Sequence, residues 1–146
     1  MKTDRIVSTL FVAFAVLTCQ AQTPGKYYRI ASGTQSAFPQ DASGSKARAV
    51  LWTETGVAAQ RWQLVDLGAG LYGFRNAYSG LYLARETGNK QGQPVSQRPL
   101  TDAGDYAKWS VQPVEGVEGA YKLFTDNTNK YCLSKNLAQG DGVMLS

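Results

Sequence analysis

From about residue 25 onward, short stretches in which apolar and polar side chains take turns are separated by short stretches of turn-forming residues. Tyr28-Arg29-Ile30 and Tyr121-Lys122-Leu123 put an apolar residue at every second position, the period of a strand with one buried face. Between such segments stand Ser32-Gly33, Ser43-Gly44, Ser79-Gly80, Asn127-Thr128-Asn129 and Gly140-Asp141-Gly142, residues that favour tight turns. No stretch longer than about ten residues here keeps an apolar spacing of 3.6, so no long helix is predicted. Strands divided by turn signals roughly every 8 to 12 residues predict an all-β barrel or sandwich.

The pattern also repeats. A Tyr followed two residues on by an apolar residue occurs at Tyr28 with Ile30, Tyr72 with Phe74 and Tyr121 with Leu123. Another aromatic stands ten residues after each Tyr, at Phe38, Tyr82 and Tyr131, and a Val follows at Val50, Val95 and Val143. Trp62 and Trp109 close the first two sets, and successive landmarks lie 44 to 49 residues apart. The chain therefore divides into units of about 46 residues, at about 25–68, 69–116 and 117–146. With about four strands each, they predict a pseudo-threefold barrel in which no unit buries its apolar face alone. Tyr28, Tyr72, Tyr121, Trp62 and Trp109 are assigned to its core. The same spacing puts a third Trp beyond Ser146, so the third unit is expected to be truncated. An open strand edge left there is expected to promote association.

Gln60-Arg61-Trp62 adds a specific motif. Together with Val50-Leu51-Trp52-Thr53-Glu54 before it and Gln63-Leu64-Val65 after it, the stretch resembles the repeat ending of ricin-type β-trefoil lectins, a Gln-any-Trp motif. Tyr28-Arg29-Ile30, Phe74-Arg75-Asn76 and Ser79-Gly80-Leu81-Tyr82-Leu83 resemble the repeat opening. Repeat two departs from the pattern with Ala107-Lys108-Trp109, where the Gln is lost. The resemblance implies a β-trefoil fold and carbohydrate binding. Independently of it, a Trp in each unit buries on the order of 200 Å². Gln60 is expected to satisfy backbone groups at a strand crossing, where an unpaired buried group costs about 1–3 kcal/mol.

In such lectins each repeat holds a shallow sugar pocket built from an acid, an amide and a stacking aromatic. By that resemblance Trp52 is the aromatic of repeat one, and the acid falls near Gln40 or Asp41; Ala59 stands at the amide position. Two other readings stay open: Trp52 as a packing residue at the barrel edge, and Asp41 as a turn residue before Ser43-Gly44. In repeat two, Ala84 takes the acid position and Gln97 the aromatic one, with Asp105 or Tyr106 on the amide side. Repeat three offers Leu133 or Ser134 and Leu145, so neither of these repeats carries an intact pocket.

The N-terminus has a different character. Lys2 and Arg5 precede an apolar run from Ile6 to Leu17, too short for a membrane-spanning helix, which needs roughly 20 residues. With small-residue spacing at Cys19-Gln20-Ala21, residues 1–21 read as a secretory signal peptide cleaved after Ala21, leaving 22–146 as the trefoil domain. The product is expected to be secreted, periplasmic or at the cell surface. The rival reading makes Cys19 a lipid attachment site, with Thr18 where a lipobox wants a smaller residue. Removing Lys2, Asp4 and Arg5 lowers the formal charge from +4 to +3, and the remaining basic residues form no run, which argues against nucleic acid as a partner. Cys132, between Tyr131 and Leu133, reads as a small buried core residue.

There is no histidine, which removes the usual general base, the commonest transition-metal ligand and any Ser-His-Asp or Cys-His arrangement. Asp102, Asp105, Glu115, Glu118 and Asp141 sit among turn residues and read as solvated carboxylates rather than a hydrolytic pair. Asp126-Asn127-Thr128-Asn129 is followed by Lys130 where a calcium loop needs an oxygen ligand. The expectation is a non-enzymatic module without metal or cofactor, binding a glycan or polysaccharide and tethered to a catalytic domain. The alternative is a trefoil used for protein contact or as a spacer, its sugar pockets degenerate. A fragment of an enzyme whose catalytic residues lie elsewhere is the third reading.

Overall fold

The computed structural model describes residues 3–11, 23–32, 35–86, 92–117, 120–125, 131–136 and 142–145. The cleavage site expected at Cys19-Gln20-Ala21, Gly33, Glu118, Asp126 to Lys130 and Gly140-Asp141 lie outside these residues. The strands are β1 (Thr3–Phe11), β2 (Tyr27–Ser32), β3 (Gln35–Pro39), β4 (Ala49–Thr53), β5 (Trp62–Asp66) and β6 (Tyr72–Asn76). They continue as β7 (Tyr82–Arg85), β8 (Val95–Arg98), β9 (Ser110–Pro113), β10 (Tyr121–Phe124), β11 (Leu133–Asn136) and β12 (Gly142–Leu145). Helix among the described residues is confined to α1 (Leu100–Ala103) and two 3-10 turns, Ala58–Gln60 and Gly104–Ala107; none is long and apolar enough to cross a membrane.

Two layers of pairing generate the threefold arrangement. Around the barrel run β2, β5, β6, β9 and β10, joined by Tyr28 opposite Trp62, Trp62 opposite Asn76, Tyr72 opposite Trp109 and Leu123 opposite Val111. Each repeat then adds an antiparallel hairpin: β3 with β4, β7 with β8, β11 with β12. These hairpins meet one another at Gly142 opposite Val50 and at Arg48 opposite Ser96. β1 runs parallel along the other side of β2, Val7 opposite Tyr27.

The interior is supplied by equivalent positions. Trp62 and Trp109 are both fully buried, in one cluster with Tyr28, Ile30, Leu64, Phe74, Leu123 and Leu133. Tyr72 and Tyr121 are half-buried and pack against the same cluster. Tyr28 is 3 % exposed and its hydroxyl accepts a bond from the Thr23 N–H at 2.8 Å. Burial pushes its phenol up from the ordinary value, against the lowering effect of the Thr23 bonds. In each of the first two repeats the opening Tyr faces the closing Trp across the ladder. The sequence landmarks thus mark one barrel.

Constant spacing misplaces two landmarks. Trp62 bonds the carbonyl of Ala37 and Trp109 that of Leu83, which makes these two residues equivalent, with Leu133 as the core residue of β11. Phe38 lies one residue after that position and Tyr82 one before it. Across the hairpins Ala37 faces Leu51 and Leu83 faces Gln97, so Ala49, not Val50, matches Val95. The cause is a β2–β3 connection two residues shorter than the β6–β7 one, between Tyr28 and Ala37 against Tyr72 and Leu83. Strand alternation then turns Ala49 and Leu51 inward and Val50 outward. Alternation also corrects Cys132, which is half-buried while Leu133 takes the core position.

Candidate functional site

The described surface carries two large exposed aromatics, Trp52 at 54 % and Tyr78 at 62 %. Trp52 ends up outside because β4 alternates: Ala49 and Leu51 fill the core, so the next side chain faces solvent. Opposite it on β3 stands Ser36, 1 % exposed. At 54 % exposure much of the Trp52 ring is open to solvent.

The loop that follows β4 is closely hydrogen-bonded. Glu54 accepts from Ser36 Oγ at 2.8 Å and Arg61 NH1 at 3.1 Å on one oxygen, and from Gly56 N at 2.7 Å and Arg61 NH2 at 2.8 Å on the other. Arg29 stands 3.7 Å from the first oxygen. Burial would raise this carboxyl, but the Arg61 and Ser36 bonds, the Arg61 charge and the Gly56 N–H outweigh it and hold Glu54 below the ordinary value. Four hydrogen bonds use the lone-pair sites of a carboxylate, so Glu54 positions its surroundings and has little left for a ligand.

Gln60 locks the same loop from inside. Its Oε1 accepts from Thr55 N at 2.9 Å and Thr55 Oγ1 at 3.0 Å, and its Nε2 donates to Thr53 O at 3.0 Å. Gln60 thus satisfies two backbone groups, Thr55 N and Thr53 O, at the end of β4 and in the loop after it. At the neighbouring position Ala59 is buried, and its carbonyl takes a 2.8 Å bond from Asn76 Nδ2 of the next repeat.

Gln40 and Asp41 are placed elsewhere. Both are exposed in the turn beyond Pro39, whereas Trp52 pairs with Ser36 toward the other end of the hairpin. The position equivalent to Ala84 is Phe38. Asp41 builds its turn: Oδ1 accepts from Ser43 N at 3.2 Å, and the carboxyl occupies the space a side chain on Gly44 would need, 2.6 Å from its Cβ. The Asp41, Ala42 and Gly44 carbonyls all receive Gln97 Nε2, at 3.1, 3.2 and 2.8 Å. The structure therefore brings neither Gln40 nor Asp41 beside Trp52. Glu54, which the sequence did not single out, stands one residue past the end of β4 and holds the loop that follows it.

Repeat two has filled the corresponding space. Arg98, not Gln97, is the counterpart of Trp52, since Tyr82 faces Arg98 as Ser36 faces Trp52. Ala84, Ala103 and Ala107 form a small apolar cluster with Tyr82, Leu100 and Tyr106. Arg85 and Arg98 lie over the Tyr106 ring at 5.2 and 5.7 Å. Asp102 pairs with Arg98 at 3.0 Å, and exposed Asp105 pairs with Lys108 at 2.9 Å; the Lys108 bond and charge hold Asp105 low. These carboxylates are engaged at the surface, and Glu115 is exposed in a turn. In repeat three the backbone of Ser134 and Leu145 lies in β11 and β12. Among the described residues no group of His, Cys, Asp or Glu is placed to hold a metal.

A barrel built on equivalent buried Trp residues and capped by three hairpins is a β-trefoil, and its most prominent surface feature is one exposed aromatic, Trp52 on β4, beside a hydrogen-bonded loop. The chain belongs to the family described as ricin-type beta-trefoil lectin domain-like, which matches residues 13–98 and again 58–145, two matches offset by one repeat. The Macrolepiota procera ricin B-like lectin in complex with lactose superposes with a TM-score of 0.73 at 20 % identity, over 87 % of this chain and 89 % of that one. The designed 3-fold symmetric protein ThreeFoil gives 0.66 at 26 %, over 76 % and 79 %. The exo-β-1,3-galactanase 1,3Gal43A from Clostridium thermocellum gives 0.66 at 22 %, over 76 % of this chain and 24 % of that one. No curated protein matches the sequence. A lectin-like fold of this kind suggests carbohydrate binding and is non-catalytic in itself.

Proposed function

We propose that the chain is an exported carbohydrate-binding module that stacks a galactose-bearing glycan on Trp52 and serves as an accessory to a longer glycan-processing protein. The observation that carries this reading is the 54 % exposed indole on β4, next to a loop held by Glu54, Arg61 and Gln60. An apolar sugar face covers an indole at little entropic cost when the platform is already ordered. Because Glu54 is saturated, contact is dominated by stacking, and the single site is weak. Weak binding suits a tethered role, in which effective concentration replaces affinity. Lactose in the Macrolepiota complex and the trefoil-like part of the galactanase support galactosides as the class to test first. Export rests on Lys2 and Arg5, the apolar run to Leu17 and the small residues before Gln22. The filled pocket of repeat two favours one working site in the first two repeats. A glycan array of the folded chain beside Trp52→Ala tests the proposal. Galactoside binding lost in the variant is expected; a folded chain that retains no glycan turns the reading to the protein-contact alternative.

A further inference from the structure

Away from Trp52, four side chains form a row across four strands. Tyr27 on β2 faces Gln63 on β5, Gln63 faces Arg75 on β6, and Arg75 faces Tyr82 on β7. Directly opposed residues share a sheet face. Since Trp62, Leu64 and Phe74 point into the core, this row lies on the outer face. Three strand spacings of about 4.8 Å give it a length of roughly 14 Å. On one side of the row a cavity of about 160 Å³ is bounded by Tyr27, Arg75, Tyr78 and Gly80. On the other side a shallow depression of about 540 Å³ reaches past Gln63 to Asp66.

Arg75 is the only charged residue bounding the first cavity. Its Nε donates to Gly80 O at 3.3 Å, and no carboxylate among the described residues pairs with it. The NH1 and NH2 edge is therefore left to a ligand. Gly80, at φ +76°, admits this approach: a Cβ there would lie 3.1 Å from Arg75 NH2. The turn is already ordered, since Asn76 Oδ1 accepts from Tyr78 N at 3.0 Å and Ser79 N at 3.2 Å. Gln63 donates Nε2 to Gly25 O at 3.1 Å, and its Oε1 accepts no bond among the described residues. At the far end Asp66 caps its own turn through Gly68 N at 2.9 Å and repels a second anion.

We propose that this row is a second subsite, selective for a uronate-bearing oligosaccharide. Arg75 pairs two-pronged with the planar sugar carboxylate, Tyr78 and Tyr27 flank that ring, and the neutral remainder extends past Gln63 toward Asp66. The two sites sit on different strands, so their failures are separable. The test titrates the full chain with a galactan tetrasaccharide bearing a single terminal galacturonate, the matching neutral galactan tetrasaccharide and acetate, following amide and Arg side-chain NMR shifts. The uronate should bind at least about tenfold tighter than its neutral match at low salt. Arg75→Gln should erase the preference, Arg75→Lys should recover it in part, and Trp52→Ala should leave it intact. Equal binding of the two tetrasaccharides, a preference surviving Arg75→Gln, or acetate shifting Arg75 as strongly as the uronate would each overturn the proposal.

Discussion

Trp62 and Trp109 make the same hydrogen bond one repeat apart: each donates its indole N–H at 3.0 Å to a carbonyl of its repeat's second strand, Ala37 and Leu83 respectively. Each also lies opposite the Tyr that opens its repeat. Replacing either by Ala removes a fully buried ring from the shared cluster and should cost about 3–5 kcal/mol. Urea unfolding of the two variants should give losses of similar size. A small loss for one and a large loss for the other would contradict their equivalence.

Gln60 and Ala107 occupy the same motif position with opposite chemistry. Gln60→Ala strands Thr53 O and Thr55 N and should destabilise by about 1–3 kcal/mol. Ala107→Gln puts an amide into the Ala84–Ala103 cluster, so restoring the motif should lower stability too. Thermal midpoints of the two variants check both signs.

Glu54 gives stability a pH dependence of known sign. Its folded-state pKa lies below the unfolded value of about 4.3, so its contribution is fully present above that value and is lost as pH falls through the folded one. Midpoints measured from pH 6 down to pH 3 should fall more steeply for the parent than for Glu54→Gln. Parallel curves would show that the Arg61 pair contributes nothing.

Export predicts a mature N-terminus at Gln22. Mass spectrometry of protein recovered from outside the cytoplasm should find it there. Cleavage removes β1 and uncovers the edge of β2, so the mature form should associate more readily than the uncut chain in light scattering. An exported product that retains Met1 would contradict the prediction.

The fold was legible because Tyr28, Tyr72, Tyr121, Trp62 and Trp109, which supply or pack on the core, recur at a spacing that survives changes in the turns. Phe38 and Val50 were misassigned because a two-residue difference in one hairpin shifts register, which no fixed spacing can reveal. At the proposed site, Trp52 could be singled out from its distance to Trp62. Asp41 could not, since an Asp before Ser-Gly caps a turn as readily as it holds a sugar. Glu54 and Gln97 act through partners far along the chain or across repeats, Ser36 and Asp41 among them, and such pairings exist only once the strands are aligned.

Of the three tryptophans in the chain, Trp62 and Trp109 are fully buried and Trp52 alone is exposed, so collisional quenching by acrylamide reads Trp52 directly. Saturating lactose should shield the parent's fluorescence from the quencher and leave Trp52→Ala unaffected. The variant's stability should stay within about 0.5 kcal/mol of the parent's, as for an exposed side chain. Unchanged quenching of the parent across a panel of galactosides would contradict the assignment of Trp52 as the sugar platform.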